Sequence, residues 1–210
     1  MTDAIVFLGI QGSGKGTQAK LLAEHTGFQH INIGDLLREH ISLATDIGKR
    51  VGRTISKGSL VPDDLVFELI HTSLHEDCPG IIFDGFPRTM PQAKHLVAHY
   101  RLARVYYLDL SAEQAIIRME GRRVCPHCGE NYHLVHHAPK QDGICDECST
   151  KLVIRADDAP AAIKKRIEAF YKETYALKTY FEELGVLKSI AADNPVSEVQ
   201  ALIWADALLG

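Results

Sequence analysis

Between a short β-favouring run, Ala4 to Leu8, and a helical run, Lys15 to His25, stands Gly9-Ile10-Gln11-Gly12-Ser13-Gly14-Lys15-Gly16-Thr17. In that context the spacing has a physical meaning. Glycines let successive backbone N–H groups turn inward as an anion nest, and the following helix aims its positive end at the same point. Lys15 adds a mobile cation for terminal phosphates, and the Thr17 hydroxyl is placed to face either phosphate or Mg²⁺. A tight glycine turn is the plain alternative, but it would need neither the lysine nor three spaced glycines. Gly16, between Lys15 and the hydroxyl residue, departs from the general pattern.

A second group of residues suits metal rather than phosphate. Cys125-Pro126-His127-Cys128 and Cys145-Asp146-Glu147-Cys148 are two Cys-x-x-Cys steps separated by sixteen residues, within the window for a tetrahedral zinc site. Four thiolates leave no open position for water, so the site they predict is structural. Its role would be to hold together an insertion too small for a core of its own. A redox pair is the alternative, and His127 and His133 are substitute ligands that zinc does not need once four cysteines bind it. The fifth cysteine, Cys78, reads as a half-buried small side chain.

The elements that must position these groups alternate along the chain. Asp63 to Glu76 is helical, Gly80 to Asp84 an apolar strand, Met90 to Tyr100 helical, Val105 to Leu110 a strand and Val186 to Ile190 a last strand. Such alternation predicts an α/β fold, a parallel sheet with helices on both faces. Ile163, Ile167, Phe170, Leu177, Phe181 and Leu184 form one apolar stripe on a long helix from Ala159 to Leu184. Asp157 and Asp158 face its dipole and Pro160 suits its first turn; Asn194-Pro195 opens a final helix through Leu209. Two stretches break the alternation: Asn32 to Val61 reads as a helical excursion, and Val124 to Ile154 as a compact hairpin-like insertion.

With 210 residues and 46% hydrophobic content, one core domain with small insertions is expected. Lysine and arginine number 23 against 27 acidic residues, a formal charge of -4, which gives no global pull toward nucleic acid or acidic membrane. The run Ala4 to Gly9 is too short for a signal peptide, and nothing approaches the roughly 18 to 20 apolar residues of a membrane span. A soluble cytoplasmic protein is expected, and paired cysteines fit its reducing environment.

Gly14-Lys15-Gly16-Thr17-Gln18 resembles the adenylate kinase branch of the nucleoside monophosphate kinases, and the resemblance runs along nearly the whole chain. It continues through Gly34-Asp35-Leu36-Leu37-Arg38, Leu60-Val61-Pro62-Asp63, Asp84-Gly85-Phe86-Pro87-Arg88-Thr89, Gly121-Arg122-Arg123, and Arg155 followed by Asp157-Asp158 and Arg166. What it implies is a doubly wound five-stranded P-loop sheet formed by 1–31, 62–123 and 160–210. A monophosphate-binding insertion would occupy 32–61 and a zinc-binding, β-rich lid 124–159. The implied reaction is reversible: Mg·ATP and AMP give two ADP by in-line transfer, with no covalent intermediate.

The same resemblance implies roles. Gly12, Ser13, Gly14, Lys15, Gly16 and Thr17 would cradle ATP, with Arg118 and Asn194 near its base and Asn131 and Tyr132 touching it from the lid. Arg38 and Arg88 would hold AMP, while Arg122, Arg155 and Arg166 clamp the transferring group and Asp84 orients waters on Mg²⁺. Arginine suits this work because its planar fork grips phosphate oxygens in two places. Around AMP would lie Ser59, Leu60, Val61, Gly85, Phe86, Pro87 and Gln92, the last at the adenine edge. Ile33 stands where many adenylate kinases have threonine, which leaves only backbone or packing contact there. Surface arginines and a turn-capping Asp84 are the plainer alternatives. Two rivals stand beside this reading: UMP, CMP or GMP as acceptor, and a zinc-ribbon module that uses the loop as a nucleotide switch. Thr89 with Gln92 and the long lid favour AMP; the acidic charge disfavours the ribbon. A monomer is expected, with structural Zn²⁺ and with Mg²⁺ accompanying ATP.

Overall fold

Runs of apolar residues wide enough to be covered on both faces gather into one parallel sheet. The computed structural model describes residues 1–56, 59–75, 77–135 and 137–207. In chain order the elements begin with β1 (Asp3–Gly9), α1 (Lys15–Thr26), β2 (Gln29–Asn32), α2 (Ile33–Ser42), α3 (Asp46–Ser56), α4 (Asp63–Ser73) and β3 (Ile81–Asp84). They continue with α5 (Met90–His99), β4 (Arg101–Asp109), α6 (Ala112–Glu120), β5 (Arg122–Val124) and β6 (Asn131–His133). The last are α7 (Pro160–Ala169), α8 (Ala176–Glu183), β7 (Leu187–Ala191) and α9 (Val196–Ala207).

Five strands pair in the order β2-β3-β1-β4-β7, every pair parallel. The chain leaves β1 for one edge and returns to build the other, so the loops after β1 and β3 open side by side at the carboxyl end of the sheet, where α/β folds bind ligands. All of β3 is buried, as are Ala4 to Gly9 of β1. Helix entries are capped by short polar side chains: Asn32 accepts from the Asp35 N–H, Thr89 from Gln92 and Ser111 from Gln114. Gln18 Nε2 donates to the Val196 carbonyl at 2.9 Å and ties α1 to α9. Among the described residues no helix is long and apolar enough to cross a membrane.

Several expectations need correction. β2 was not anticipated, because Ile31 is its only aliphatic residue; it forms as the partner of β3, pairing Gln29 with Ile81 through Asn32 with Asp84. β4 starts at Arg101 rather than Val105, and α6 is an additional helix. The long helix expected from Ala159 to Leu184 is interrupted by a π-helical turn, Phe170–Thr174. Ile163, Phe170, Leu177 and Phe181 of its stripe are buried, but Leu184 is exposed. The wider turn faces Thr174 inward, and its hydroxyl donates to the Arg88 carbonyl at 2.9 Å. The expected helix ends at Glu76 and Leu209 lie outside the described residues.

The segment after α6 makes a separate unit. β5 and β6 form an antiparallel pair, Val124 bridges to Val153, and Cys125, Tyr132, Cys145 and Leu152 make a small buried cluster of their own. Phe181, fully buried in the main core, belongs to the other cluster. Phe181→Ala is expected to lower unfolding free energy by about 3–5 kcal/mol in urea denaturation while leaving bound zinc unchanged. A loss of metal in parallel would show that the two clusters are one.

Candidate active site

The glycine loop connects β1 to α1, and Gly14, at φ 91° in the left-handed region, forms the helix start without any side-chain cap. The free N–H groups of the first turn of α1 therefore face the loop's concavity. Ser13 is buried, and among the described residues its hydroxyl has no partner. A Cβ on Gly16 would stand 3.1 Å from Asp84 Oδ2, so the carboxylate's close approach accounts for glycine at this point of the motif. Thr17, next along, is exposed. Lys15 donates to the carbonyls of Gly9 at 2.9 Å and Ile10 at 2.8 Å. Burial, with Arg88, Arg166 and Arg122 nearby, lowers its pKa to about 7 against the pull of Asp84.

Asp84 ends β3 and is 5% exposed. It accepts from Asn32 Nδ2 at 2.6 Å and has His30 Nε2 at 3.9 Å. Burial raises its pKa above the ordinary carboxylate value, with Lys15 and His30 opposing. The Asp84 carboxylate offers the oxygen ligand that suits a hard divalent cation such as Mg²⁺.

Five arginines from different elements meet beside this loop. Arg122 grips Asp158 through Nε at 2.8 Å and Nη2 at 2.5 Å, and Arg166 Nη1 donates to the same carboxylate at 2.9 Å. Arg166 also lies 3.2 Å from Asp157, which has Arg38 at 3.8 Å on its other side. Arg38 donates to Asp35 at 2.5 Å, and Arg155 lies 3.8 Å from Asp35 while donating to Asn131 Oδ1 at 2.9 Å. Arg88 Nε donates to the Gly85 carbonyl at 2.8 Å. Burial, then Arg166, lowers the Arg88 pKa to about 10; burial, then Arg122 and Arg38, does the same for Arg155. Burial opposes ionisation of Asp157, but Arg166, Arg38 and Arg155 outweigh it and hold its carboxyl below the usual value. Asp157 and Asp158 therefore do not serve the start of α7 as expected. They sit in a 3-10 turn, Ala156–Asp158, and act as counter-ions to the arginines.

A pocket of about 70 Å³ opens against the cluster, lined by residues assigned to AMP: Ile33, Arg38, Ser59, Leu60, Val61, Gly85, Arg88, Gln92 and Arg166. Phe86 is not among them; it is buried beneath, packed on Phe83 and Phe67. Pro87 does not line the pocket either. A larger cleft of about 340 Å³, between Asp109, Ser111, Gln114 and Asp193, contains none of the expected site residues. Three of the cations, Arg38, Arg88 and Arg166, line the smaller pocket. Arg118 on α6 has its pKa lowered by burial, against the pull of Asp193; Asn194 is exposed in the loop after β7. Asn131 is exposed and bonded to Arg155. The Tyr132 ring is buried in the lid cluster and its hydroxyl accepts from the Asp146 N–H at 2.8 Å, which leaves its backbone for the expected contact. A lid this small has few other residues from which to make a core. Asp35, Asp63, Asn32 and Thr174 had no sequence-level role as side chains; Asp35 and Asp63 stood within the segments that carry the resemblance, and for Asn32 and Thr174 the hint was polar type alone.

The four cysteine sulfurs all lie within 4.8 Å of one another. Separations of 3.4 Å (Cys125 to Cys148), 3.5 Å (Cys128 to Cys145) and 3.6 Å (Cys128 to Cys148) are close to the roughly 3.8 Å edge of a zinc–thiolate tetrahedron. The two knuckles repeat one backbone pattern: Gly129 N–H bonds to the Cys125 carbonyl and Ser149 N–H to that of Cys145. Gly129 at φ 77° and Ser149 at φ 58° occupy matching left-handed positions, unusual for serine, so both loops close around one point. The donor set fits zinc. His127 is exposed, and His133 packs on Gly121.

The family model described as adenylate kinase matches residues 7–186. An adenylate kinase of Caldicellulosiruptor saccharolyticus is 37% identical over 201 residues, 92% of this chain and 94% of its own length. One from Ruminiclostridium cellulolyticum is 40% identical over the same shares. One from Thermotoga maritima is 38% identical over 219 residues, 98% of this chain and 100% of its own.

Two outcomes test the site as built. The purified chain should carry about one Zn²⁺, released by a thiol reagent and read with a chromophoric chelator; Cys148→Ser should lose it and Cys78→Ser keep it. Metal retained by Cys148→Ser would exclude the four-cysteine site. At pH 8 a Lys15 with a pKa near 7 is mostly neutral, and an anionic ligand restores its charge, so ATP binding should take up about 0.9 proton. Calorimetry in buffers of different ionisation enthalpy measures this, and binding without uptake would refute the lowered lysine.

Proposed function

The chain belongs to the adenylate kinase family, and from that premise we propose that it transfers the γ-phosphoryl group of Mg·ATP reversibly to AMP, giving two ADP. The observation that carries the reading is the convergence of Lys15, Arg38, Arg88, Arg122, Arg155 and Arg166 beside the glycine loop and the pocket next to it. Phosphoryl transfer between two nucleotides gathers several negative charges, and catalysis is mostly positioning plus cationic stabilisation.

In this reading the N–H groups of Gly12 to Thr17 and the Lys15 ammonium hold the ATP phosphates. Arg38 and Arg88 hold the AMP phosphate, and Arg122, Arg155 and Arg166 exchange part of their carboxylate pairing for the transferring group. Asp84 and Thr17 would hold Mg²⁺, which would supply charge neutralisation on the phosphates. Ile33, Leu60, Val61, Gly85 and Gln92 frame the adenine of AMP, with Phe86 and Pro87 supporting the wall. Arg118, Asn131, the Tyr132 backbone and Asn194 serve ATP. Segments 32–61 and 124–159 close over AMP and ATP and keep water out, since transfer to water would waste ATP. Zinc is structural, holding 124–159 together. The chain works as a cytoplasmic monomer, bound neither to nucleic acid nor to membrane, a setting supported by thiolates that need a reducing compartment.

The expected assay result is ADP formation from ATP with AMP, far exceeding that with UMP, CMP or GMP. Arg88→Ala should lower kcat/KM by roughly 10³-fold or more, with an unchanged melting temperature. Turnover only with a pyrimidine monophosphate would move the acceptor assignment, and no ADP from any acceptor would remove the enzymatic reading.

A further inference from the structure

We propose that Asp63 sets the base specificity of the acceptor pocket by locking the Gln92 side-chain amide in one of its two orientations. The inference rests on reading that pocket as the seat of the AMP base. Gln92 lies in the first turn of α5, is 3% exposed and lines the pocket. Its Nε2 donates to Asp63 Oδ1 at 2.5 Å, and its Oε1 accepts from the Arg88 backbone N–H at 2.7 Å.

The two ends of a primary amide have nearly the same shape, so the partners alone decide which way it points. Here both partners are one-sided: a carboxylate only accepts, and a backbone N–H only donates. Reversal would press the amide oxygen on a carboxylate and the amide NH₂ on an N–H. Both partners are themselves held. The Thr89 hydroxyl donates to the Asp63 carboxylate at 3.2 Å while its oxygen accepts from the Gln92 N–H at 3.3 Å. The Arg88 carbonyl accepts from the Thr174 hydroxyl.

Once these bonds are made, the amide keeps one N–H on its nitrogen and one lone pair on its oxygen. A base must match that order. Adenine offers the N1 acceptor beside the N6–H donor, and the locked amide can meet both. Hypoxanthine has nearly the same outline but the reverse order, an N1–H donor beside the O6 acceptor, and would need the amide turned over. A site built around hydrogen bonds rejects a mismatched analogue strongly because buried polar groups are left unpaired. Asp63 is thus a positioning residue that acts on the base through Gln92.

The test compares AMP with IMP in wild type, Asp63→Asn, Asp63→Ser and Gln92→Leu, using kcat/KM and, without ATP, the Kd of each monophosphate. Asparagine can donate to the oxygen of a turned amide, which removes the carboxylate half of the lock and leaves the Arg88 N–H half, so Asp63→Asn should shrink the AMP-to-IMP ratio several-fold, mainly through weaker discrimination against IMP. Asp63→Ser, which removes the carboxylate, carries the same expectation should Asp63→Asn fail to fold. Equal losses for AMP and IMP would make Asp63 a structural prop and overturn the lock. If Gln92→Leu collapses the ratio but the Asp63 variants do not, the lock fails and the pocket reading stands. If Gln92→Leu leaves the ratio unchanged, Gln92 does not read the base, and the pocket reading fails together with the lock.

Discussion

A carboxylate shared by two guanidinium groups is the contact on which the assembly of this site depends. The Asp158 side chain is fully buried, while those of Arg122 and Arg166 are 18% and 12% exposed. Removing one partner of such a buried pair leaves an uncompensated charge and costs about 3–5 kcal/mol. Arg122 comes from β5 at the root of the four-cysteine segment and Arg166 from the middle of α7, so Asp158 also fastens two distant stretches of chain. Asp157 repeats the arrangement one residue earlier, between Arg166 and Arg38.

The neutralisation is incomplete. Six cations, Lys15 and the five arginines, face four carboxylates, Asp35, Asp84, Asp157 and Asp158, which leaves positive charge in excess by two when all are ionised. Burial is the main reason Lys15, Arg88 and Arg155 lose protons more readily, and the neighbouring guanidinium groups add to it. An anion entering the pocket relieves the excess, and the cost of gathering like charges has been met in folding rather than at the moment of reaction. The sheet makes this possible by bringing the ends of β1 and β3 together. Gly16 then gives the Asp84 carboxylate room, and Asn32 both caps α2 and donates to Asp84.

What could be read in the sequence was whatever chemistry fixes within a few residues. The glycine loop, the two Cys-x-x-Cys steps and the apolar runs of β1 and β3 carry their own spacing rules, and a parallel sheet with helices on both faces followed from them, while its count of five strands came from the family resemblance. β2 was hidden because Gln29, His30 and Asn32 are polar; only the open edge of β3 makes them a strand. Asp157 and Asp158 were visible as charges but not as counter-ions, because their partners lie up to some 120 residues away and nothing local distinguishes a helix-start acid from a buried one. The π-helical turn left the 3.6-residue stripe intact and so escaped notice, although it determines where Thr174 points. Tyr132, beside exposed Asn131, looked like a ligand contact, but in a segment of this size its ring is needed as core.

The four-cysteine segment shows a consistent division between stiffness within and looseness without. Inside, thiolate ligation would add a large folding term to a cluster of only Cys125, Tyr132, Cys145 and Leu152 that is too small to hold by itself. Toward the rest of the chain its contacts are weaker in kind. Lys20 to Glu130 is a 2.8 Å pair with the lysine 56% exposed, the sort of surface ion pair that contributes about 0–1 kcal/mol. Arg155 reaches Asp35 only at 3.8 Å, and Asp35 is 54% exposed. Such contacts oppose little to separation of this segment from α1 and α2, whereas the Arg122–Asp158 grip at its root opposes much. The closing of 124–159 proposed above requires this combination, a body rigid in itself, weakly held at its tip and firmly held at its base. Metal is better suited to that than a larger hydrophobic core, because four short bonds stiffen the segment without adding the apolar surface that would bind it permanently to its neighbours.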